Sequence, residues 1–286
     1  MKHMRSVLGA GLLIVALAGP AAATSEASDG HARQYYLSLG DSLAAGVQPI
    51  GDPDQAFRTN DGYPDQLFAI ARQEVPKLSL VKLGCPGETT TSMLEGGICT
   101  YPHGSQLDEA VQFLKAHRAF VAFVTIDIGA NDFPCTTDLS CVPSGVASVQ
   151  ANLPVIMAAL REAAGPDVPI VGMSLYNPFL AYWLAGPDGQ QFAQATTFQA
   201  VVPLNNLLEG LFAAAGAETA DVEGAFSTTD FTTMVPLPGV GNVPLNVARI
   251  CMWTWICAPA PLGPDNHLNA AGYGVVADAF AAELGY

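Results

Sequence analysis

Short apolar runs alternate with longer segments of helical periodicity along most of the chain. Residues 35–39 read as a short strand ending at Gly40, and 78–83 form a β-rich run that stops at Gly84. Residues 120–128 are continuously apolar apart from one Asp, and 169–175 repeat that pattern, which belongs to strands covered on both faces. A fifth, weaker strand is expected over 218–222. Helical spacing fills the intervals. It covers 63–75 with Pro64 in the first turn, then a segment opening at Ser105-Gln106-Leu107-Asp108 with Leu107, Val111 and Leu114 on one face. It returns over 144–164, interrupted or kinked at Pro154, over 190–215, divided by Pro203, and over the Ala-rich 268–284. Residues 231–264 break the rhythm. Rich in Pro, Gly and apolar residues and carrying Trp253 and Trp255, they read as one long structured loop.

Strands alternating with helices predict an α/β fold with a mainly parallel sheet covered on both faces. Ligands in such folds sit beyond the carboxyl ends of the strands, so a motif that carries chemistry should lie just after a strand. With no internal repeat and no low-complexity linker, residues 24–286 are expected to form a single domain. Residues 1–23 are set apart as a secretory signal peptide. Lys2 and Arg5 precede an apolar run from Val7 to Ala18, and Ala21-Ala22-Ala23 offers a small-residue cleavage site. That run is too short for a membrane anchor, since a span needs about 20 residues. No later segment reads as a stable membrane span, so a secreted, extracellular protein is expected, and a monomer.

Composition narrows the classes further. Among 286 residues, 11 are Lys or Arg and 26 are Asp or Glu, a formal net charge of −15, which leaves no basic face for nucleic acid. With 50% hydrophobic and only 13% charged residues, the chain is not a disordered one. Secretion makes disulfides the default for Cys85, Cys99, Cys135, Cys141, Cys251 and Cys257. Their spacing forms neighbouring couples, favouring Cys85–Cys99, Cys135–Cys141 and Cys251–Cys257, each holding one local loop in shape.

Four segments hold candidate chemistry. Gly40-Asp41-Ser42-Leu43 follows the first strand directly, where glycine allows a sharp turn and the serine hydroxyl can project into the crevice. Taken alone, it could equally be a strand-to-helix turn with a polar cap. Cys85-Pro86-Gly87-Glu88-Thr89-Thr90 follows the second strand, Gly129-Ala130-Asn131-Asp132 the third, and Asp265-Asn266-His267-Leu268-Asn269 precedes the last helix. Together they supply a nucleophile, a glycine N–H, an amide side chain and a base, the set that acyl transfer requires.

In these four blocks, taken in order from Gly40 to His267, the sequence resembles the SGNH hydrolase superfamily, also called the GDSL lipase/esterase family. It is most similar to the secreted, three-disulfide actinobacterial esterases and lipases. The resemblance implies a flavodoxin-like three-layer α/β/α sandwich, a serine carboxylic-ester hydrolase, and no metal or organic cofactor. It implies Ser42 as nucleophile and His267 as general base. The oxyanion hole would be formed by the N–H groups of Ser42 and Gly87 and the side chain of Asn131. The family's common pattern has an Asp three residues before the histidine, where this chain has Pro264; Asp265 stands one residue closer. Some secreted relatives orient the histidine with a main-chain carbonyl instead. A carbonyl from the Pro264–Asp265 region is therefore the favoured partner of His267, with the Asp265 carboxylate as the alternative.

The remaining histidines read as incidental, and Asp127 and Asp132 as structural groups able to support the loops. Tyr176, Phe179, Tyr182, Trp183 and Leu184, with Trp253 and Trp255, are candidates for an acyl-chain site. The expected substrate is a small-molecule or lipid ester. A polysaccharide O-acetylesterase and an inactive secreted binding protein of the same fold are the rivals. The second is disfavoured because binding does not require all four of Ser42, Gly87, Asn131 and His267.

Overall fold

The computed structural model describes residues 33–52, 57–135 and 138–286. The expected signal peptide, residues 1–23, lies outside the described residues.

The chain opens with β1 (Gln34–Gly40), the single turn α1 (Ser42–Ala45) and the extended β2 (Val47–Asp52). There follow α2 (Tyr63–Ala71), β3 (Leu78–Lys82), α3 (Thr90–Glu95), α4 (Gln106–His117), β4 (Val121–Asp127) and α5 (Val142–Ala164). Next come β5 (Ile170–Met173), α6 (Pro187–Thr196), α7 (Val202–Ala214), β6 (Glu218–Ala220) and α8 (Val222–Ala225). The last elements are β7 (Met234–Leu237), β8 (Gly241–Pro244), α9 (Leu245–Trp253) and α10 (Ala270–Leu284).

Five strands form one sheet in the order β3-β1-β4-β5-β6, every neighbouring pair parallel. The order reverses direction between β1 and β4, which makes that gap the switch point where doubly wound folds bind ligands. Helices α2 and α10 pack on one face, and α4, α5 and α7 on the other. The sheet contributes Leu37, Leu39, Val124, Ile126 and Val171 to the core, all essentially inaccessible. Against them lie Leu67, Tyr273 and Phe280 from one layer and Leu153, Ile156, Leu160 and Phe212 from the other. Helix α5 is long and apolar enough to cross a membrane, yet Val149, Leu153, Ile156, Met157 and Leu160 form part of this core.

Three expectations are corrected. Helix α5 runs through Pro154 uninterrupted, so of the two alternatives expected at that proline the interruption is excluded. The division expected at Pro203 falls earlier, at a π-helical turn over Thr197–Val201, so Pro203 sits in the first turn of α7, where its missing N–H costs nothing. The stretch 231–264 is more regular than a loop. Its first part is the antiparallel β7–β8 hairpin, which turns over Pro238, Gly239 and Val240, and α9 follows at once. Leu237, Val243, Val247 and Ala248 form a small separate core beneath Trp183, which is why the segment has structure without joining the main sheet.

Candidate active site

The Ser42 position is set by the end of β1. Gly40 has φ +135° and is register partner to Asp127 at the end of β4; a methyl group there would overlap the Asp127 backbone oxygen and carboxyl. Glycine lets the two strand ends meet. Asp41 then caps α1, its Oδ1 accepting the Leu43 N–H (2.9 Å) and, more weakly, the Ser42 hydroxyl (3.4 Å). Beside it, Cys85-Pro86-Gly87-Glu88 forms a turn closed by the Glu88 N–H on the Cys85 carbonyl (3.0 Å). Gly87 has φ +83°, the conformation that a Pro-Gly type II turn demands. The Cys85 N–H donates to the Gly40 carbonyl (3.0 Å), hooking this turn to the serine strand. Among the described residues, the N–H groups of Ser42 and Gly87 donate to no protein acceptor.

Asn131 follows β4 in a 3-10 turn, Ala130–Asp132. Its Nδ2 donates to the Glu88 carbonyl (3.0 Å) and to Asp41 Oδ2 (3.2 Å). The next residue fastens the same loops from outside, the Asp132 carboxylate accepting the Thr90 N–H (2.9 Å) and hydroxyl (2.6 Å). Beneath them Asp127 accepts the Asp41 N–H (3.2 Å) and the Tyr63 hydroxyl (2.6 Å). Burial, and next the charge of Asp41, push the Asp127 carboxyl well above the ordinary carboxylate range. Burial raises Asp41 as well, against the hydrogen bonds it accepts.

One organising residue escaped the sequence reading. Gln106, in the first turn of α4, is fully buried; its Oε1 accepts the Gly40 N–H (2.7 Å), while Nε2 donates to the Gly40 carbonyl (2.9 Å) and to Glu88 Oε2 (2.9 Å). A side-chain amide thus stands in for a neighbouring peptide at the end of β1. In sequence it is one polar residue at a helix start, with nothing to mark its partner.

His267 enters from the far end of the chain. Its carbonyl accepts the Trp255 N–H (3.0 Å), and the Tyr176 hydroxyl donates to the Asn266 carbonyl (2.8 Å). Asp265 folds back over it, Oδ1 accepting the His267 N–H and facing Nδ1, both at 2.8 Å. The group at the ring is therefore the Asp265 carboxylate and not the main-chain carbonyl favoured from sequence, because this Asx-type turn brings the side chain round. Burial raises the Asp265 carboxyl, but the hydrogen bonds from the His267 ring and N–H and the imidazole's charge outweigh it and hold the group low. Ser42 and His267 share no hydrogen bond; such contacts are often long in unliganded sites.

Ser42, Asn131, Asp265 and His267 all line one cleft of about 610 Å³. Its walls are apolar, including Phe133, Val142, Tyr176, Phe179, Tyr182 and Phe192. Gly87 lies outside the lining, joined to it through Glu88 and Asn131. Of the predicted acyl-site residues, Tyr176, Phe179 and Tyr182 reach the cleft, whereas Trp183, Leu184, Trp253 and Trp255 do not. Trp183 packs on Phe231, Trp253 stands edge-on to Phe226, and the Trp255 Nε1–H donates to Gln48 Oε1 (3.3 Å). The three couples Cys85–Cys99, Cys135–Cys141 and Cys251–Cys257 are disulfides. His103 and His117 bond locally, to Glu109 and to the Phe113 carbonyl.

A parallel sheet with these loops over its switch point has the α/β architecture of the SGNH hydrolase fold. Residues 38–275 match the GDSL-like lipase/acylhydrolase family, and the chain belongs to it. Three solved structures share the fold. The lipase Lip_vut3 from a goat rumen metagenome is 16% identical, with TM-score 0.52, covering 88% of this chain and 98% of its own. Phospholipase A1 from Streptomyces albidoflavus NA297 is 20% identical, with TM-score 0.51, covering 88% and 99%. The acetylxylan esterase Axe2 from Geobacillus stearothermophilus is 17% identical, with TM-score 0.51, covering 88% and 94%. No curated protein sequence matches the chain significantly. The family makes the protein a hydrolase acting on acyl esters.

Proposed function

We propose that the protein is a secreted serine carboxylic-ester hydrolase that cleaves acyl esters with an apolar acyl chain. The observation that carries this reading is an apolar cleft with Ser42, Asn131, Asp265 and His267 together on its lining. His267 takes the proton of Ser42 as the hydroxyl oxygen attacks the ester carbonyl. Asp265 holds Nδ1–H, so that Nε2 is the free base, and supports the imidazolium that forms. The oxyanion is received by the unpaired N–H groups of Ser42 and Gly87 and by Asn131 Nδ2, which turns one of its two N–H groups to the substrate from Glu88 or Asp41. His267 returns the proton to the leaving alcohol, and water repeats the sequence on the acyl-enzyme.

Export after removal of residues 1–23 is part of the proposal, supported by the three disulfides, which persist in oxidising compartments. The apolar walls favour acyl lipids over acetylated polysaccharide, which would call for polar groups around the leaving sugar. A series of p-nitrophenyl esters from acetate to decanoate tests both parts, run beside Ser42→Ala. The expected result is abolition of activity with Ser42→Ala and a rise in kcat/KM beyond acetate. Equal activity in the variant would remove Ser42 as nucleophile, and a preference for acetate would turn the reading to the O-acetylesterase.

A further inference from the structure

Two of the segments that reach the cleft are almost free of charge, although Asp41, Asp138 and Asp265 from other segments also line it. Residues 168–208 carry Asp188 alone and residues 231–264 carry Arg249 alone, in a chain with 11 basic and 26 acidic residues. Arg249 is turned inward: Nη1 donates to the Ala225 carbonyl (2.7 Å) and to Ser227 Oγ, and the guanidinium lies 5.3 Å from the Trp253 ring centre. The same two stretches expose Tyr182, Leu184, Phe198, Met234, Val240 and Met252, each 40% or more accessible.

Single exposed apolar residues are ordinary, but all of these except Met252 are linked. Tyr182 and Leu184 flank Trp183, whose ring packs 5.5 Å from Phe231, and Phe231 in turn packs 5.9 Å from Phe198. The β7–β8 hairpin, which carries Met234 and Val240, shares a small core with Trp183. Tyr182 also lines the cleft, so this face is continuous with the cleft mouth.

We propose that this face docks on a zwitterionic lipid surface, from which the acyl chain passes over Tyr182 into the cleft. Side chains of this kind sink into the boundary between headgroups and acyl chains, and binding scales with the apolar area buried. The face offers no outward basic side chain to anionic headgroups, and a chain of net charge −15 is repelled by an anionic surface. Only the statement of what enters the cleft rests on the acyl-ester reading; the docking itself is a binding property.

Flotation of the purified Ser42→Ala protein with phosphatidylcholine vesicles, and separately with phosphatidylglycerol vesicles, measures docking without hydrolysis. The partner variant adds Leu184→Asp and Phe198→Asp, two exposed positions outside the cleft lining. Phosphatidylcholine vesicles should carry the parent, anionic vesicles less of it, and the added substitutions should weaken partitioning at least about tenfold. With Ser42 restored, the same pair should leave hydrolysis of a soluble butyrate ester unchanged and depress hydrolysis of vesicle phospholipid. Equal flotation of both proteins, no flotation of the parent, or stronger binding to phosphatidylglycerol would overturn the proposal. So would a dimer in sedimentation that the two substitutions dissociate, since the face would then belong to a second copy. Flotation without butyrate hydrolysis would overturn the ester reading and leave the docking surface standing.

Discussion

The two sides of the cleft are built on different principles. On the side of Ser42, buried polar groups are fastened to one another: Gln106 to Gly40 and Glu88, Asn131 to Glu88 and Asp41, Asp132 to Thr90, Asp127 to Asp41 and Tyr63. On the side of Tyr182 and Phe192, the wall is made of the 3-10 segment Pro178–Ala185, helix α6 and the π-helical turn, with Tyr182 packed edge-on to Phe192. Buried networks in a low dielectric are stiff because every lost bond leaves an unpaired group. Apolar contacts are non-directional and tolerate rearrangement. In the proposed mechanism, reaction geometry is thus held by the polar side, and the shape of the acyl chain is read by the apolar one.

The sharpest way to break this contrast is Asn131→Ala. In the proposed mechanism this removes one oxyanion donor, worth roughly 2.7–4 kcal/mol of transition-state stabilisation, so kcat should fall by about 10²–10³ with every ester tested. A loss that varied strongly with acyl length would show that Asn131 belongs to the substrate wall. Next in size is Gln106→Leu, which strands the buried Gly40 N–H at a cost of about 1–3 kcal/mol. Urea unfolding should register that cost, and kcat should fall with KM little changed; an unaltered midpoint would show the clamp to be dispensable.

The smallest effect concerns pH. Because the folded carboxyl of Asp127 sits well above its ordinary value of 3.8, the native state holds a proton that the unfolded chain has released. The associated stability is complete below that ordinary value and is lost as pH rises toward the folded one. Asp127→Asn, which copies the neutral acid, should therefore lose less thermal stability than the wild type as pH climbs from about 4. Parallel melting curves for the two proteins would show that Asp127 is ionised in the fold.

The contrast also explains what could be read from the sequence. Four of the sheet's five strands were legible because each is a compact, largely apolar run ended by a turn or a polar residue, while β6, Glu218-Thr219-Ala220, was legible only as a weak fifth. The motif blocks were legible because their glycines and polar residues follow those runs. Gln106 was not, since its partner Gly40 is distant in sequence and one glutamine carries no periodicity. The hairpin and α9 were hidden by their own composition: Pro and Gly suggested a loop, while the alternation of Val235, Leu237 and Val243 serves a separate small core. The Asp265 contact turned on side-chain direction, which spacing does not determine.

The order of the sheet has a consequence for timing. Ser42 stands after the first strand, Asn131 after β4, and His267 beyond all the strands, just ahead of the final helix. A ribosome therefore delivers the proposed nucleophile and oxyanion donors early and the proposed base almost last. A chain halted before His267 would carry most of the cleft and no means of activating the serine. On the proposed roles, the serine acquires its base only when the α9–α10 connection and α10 are in place.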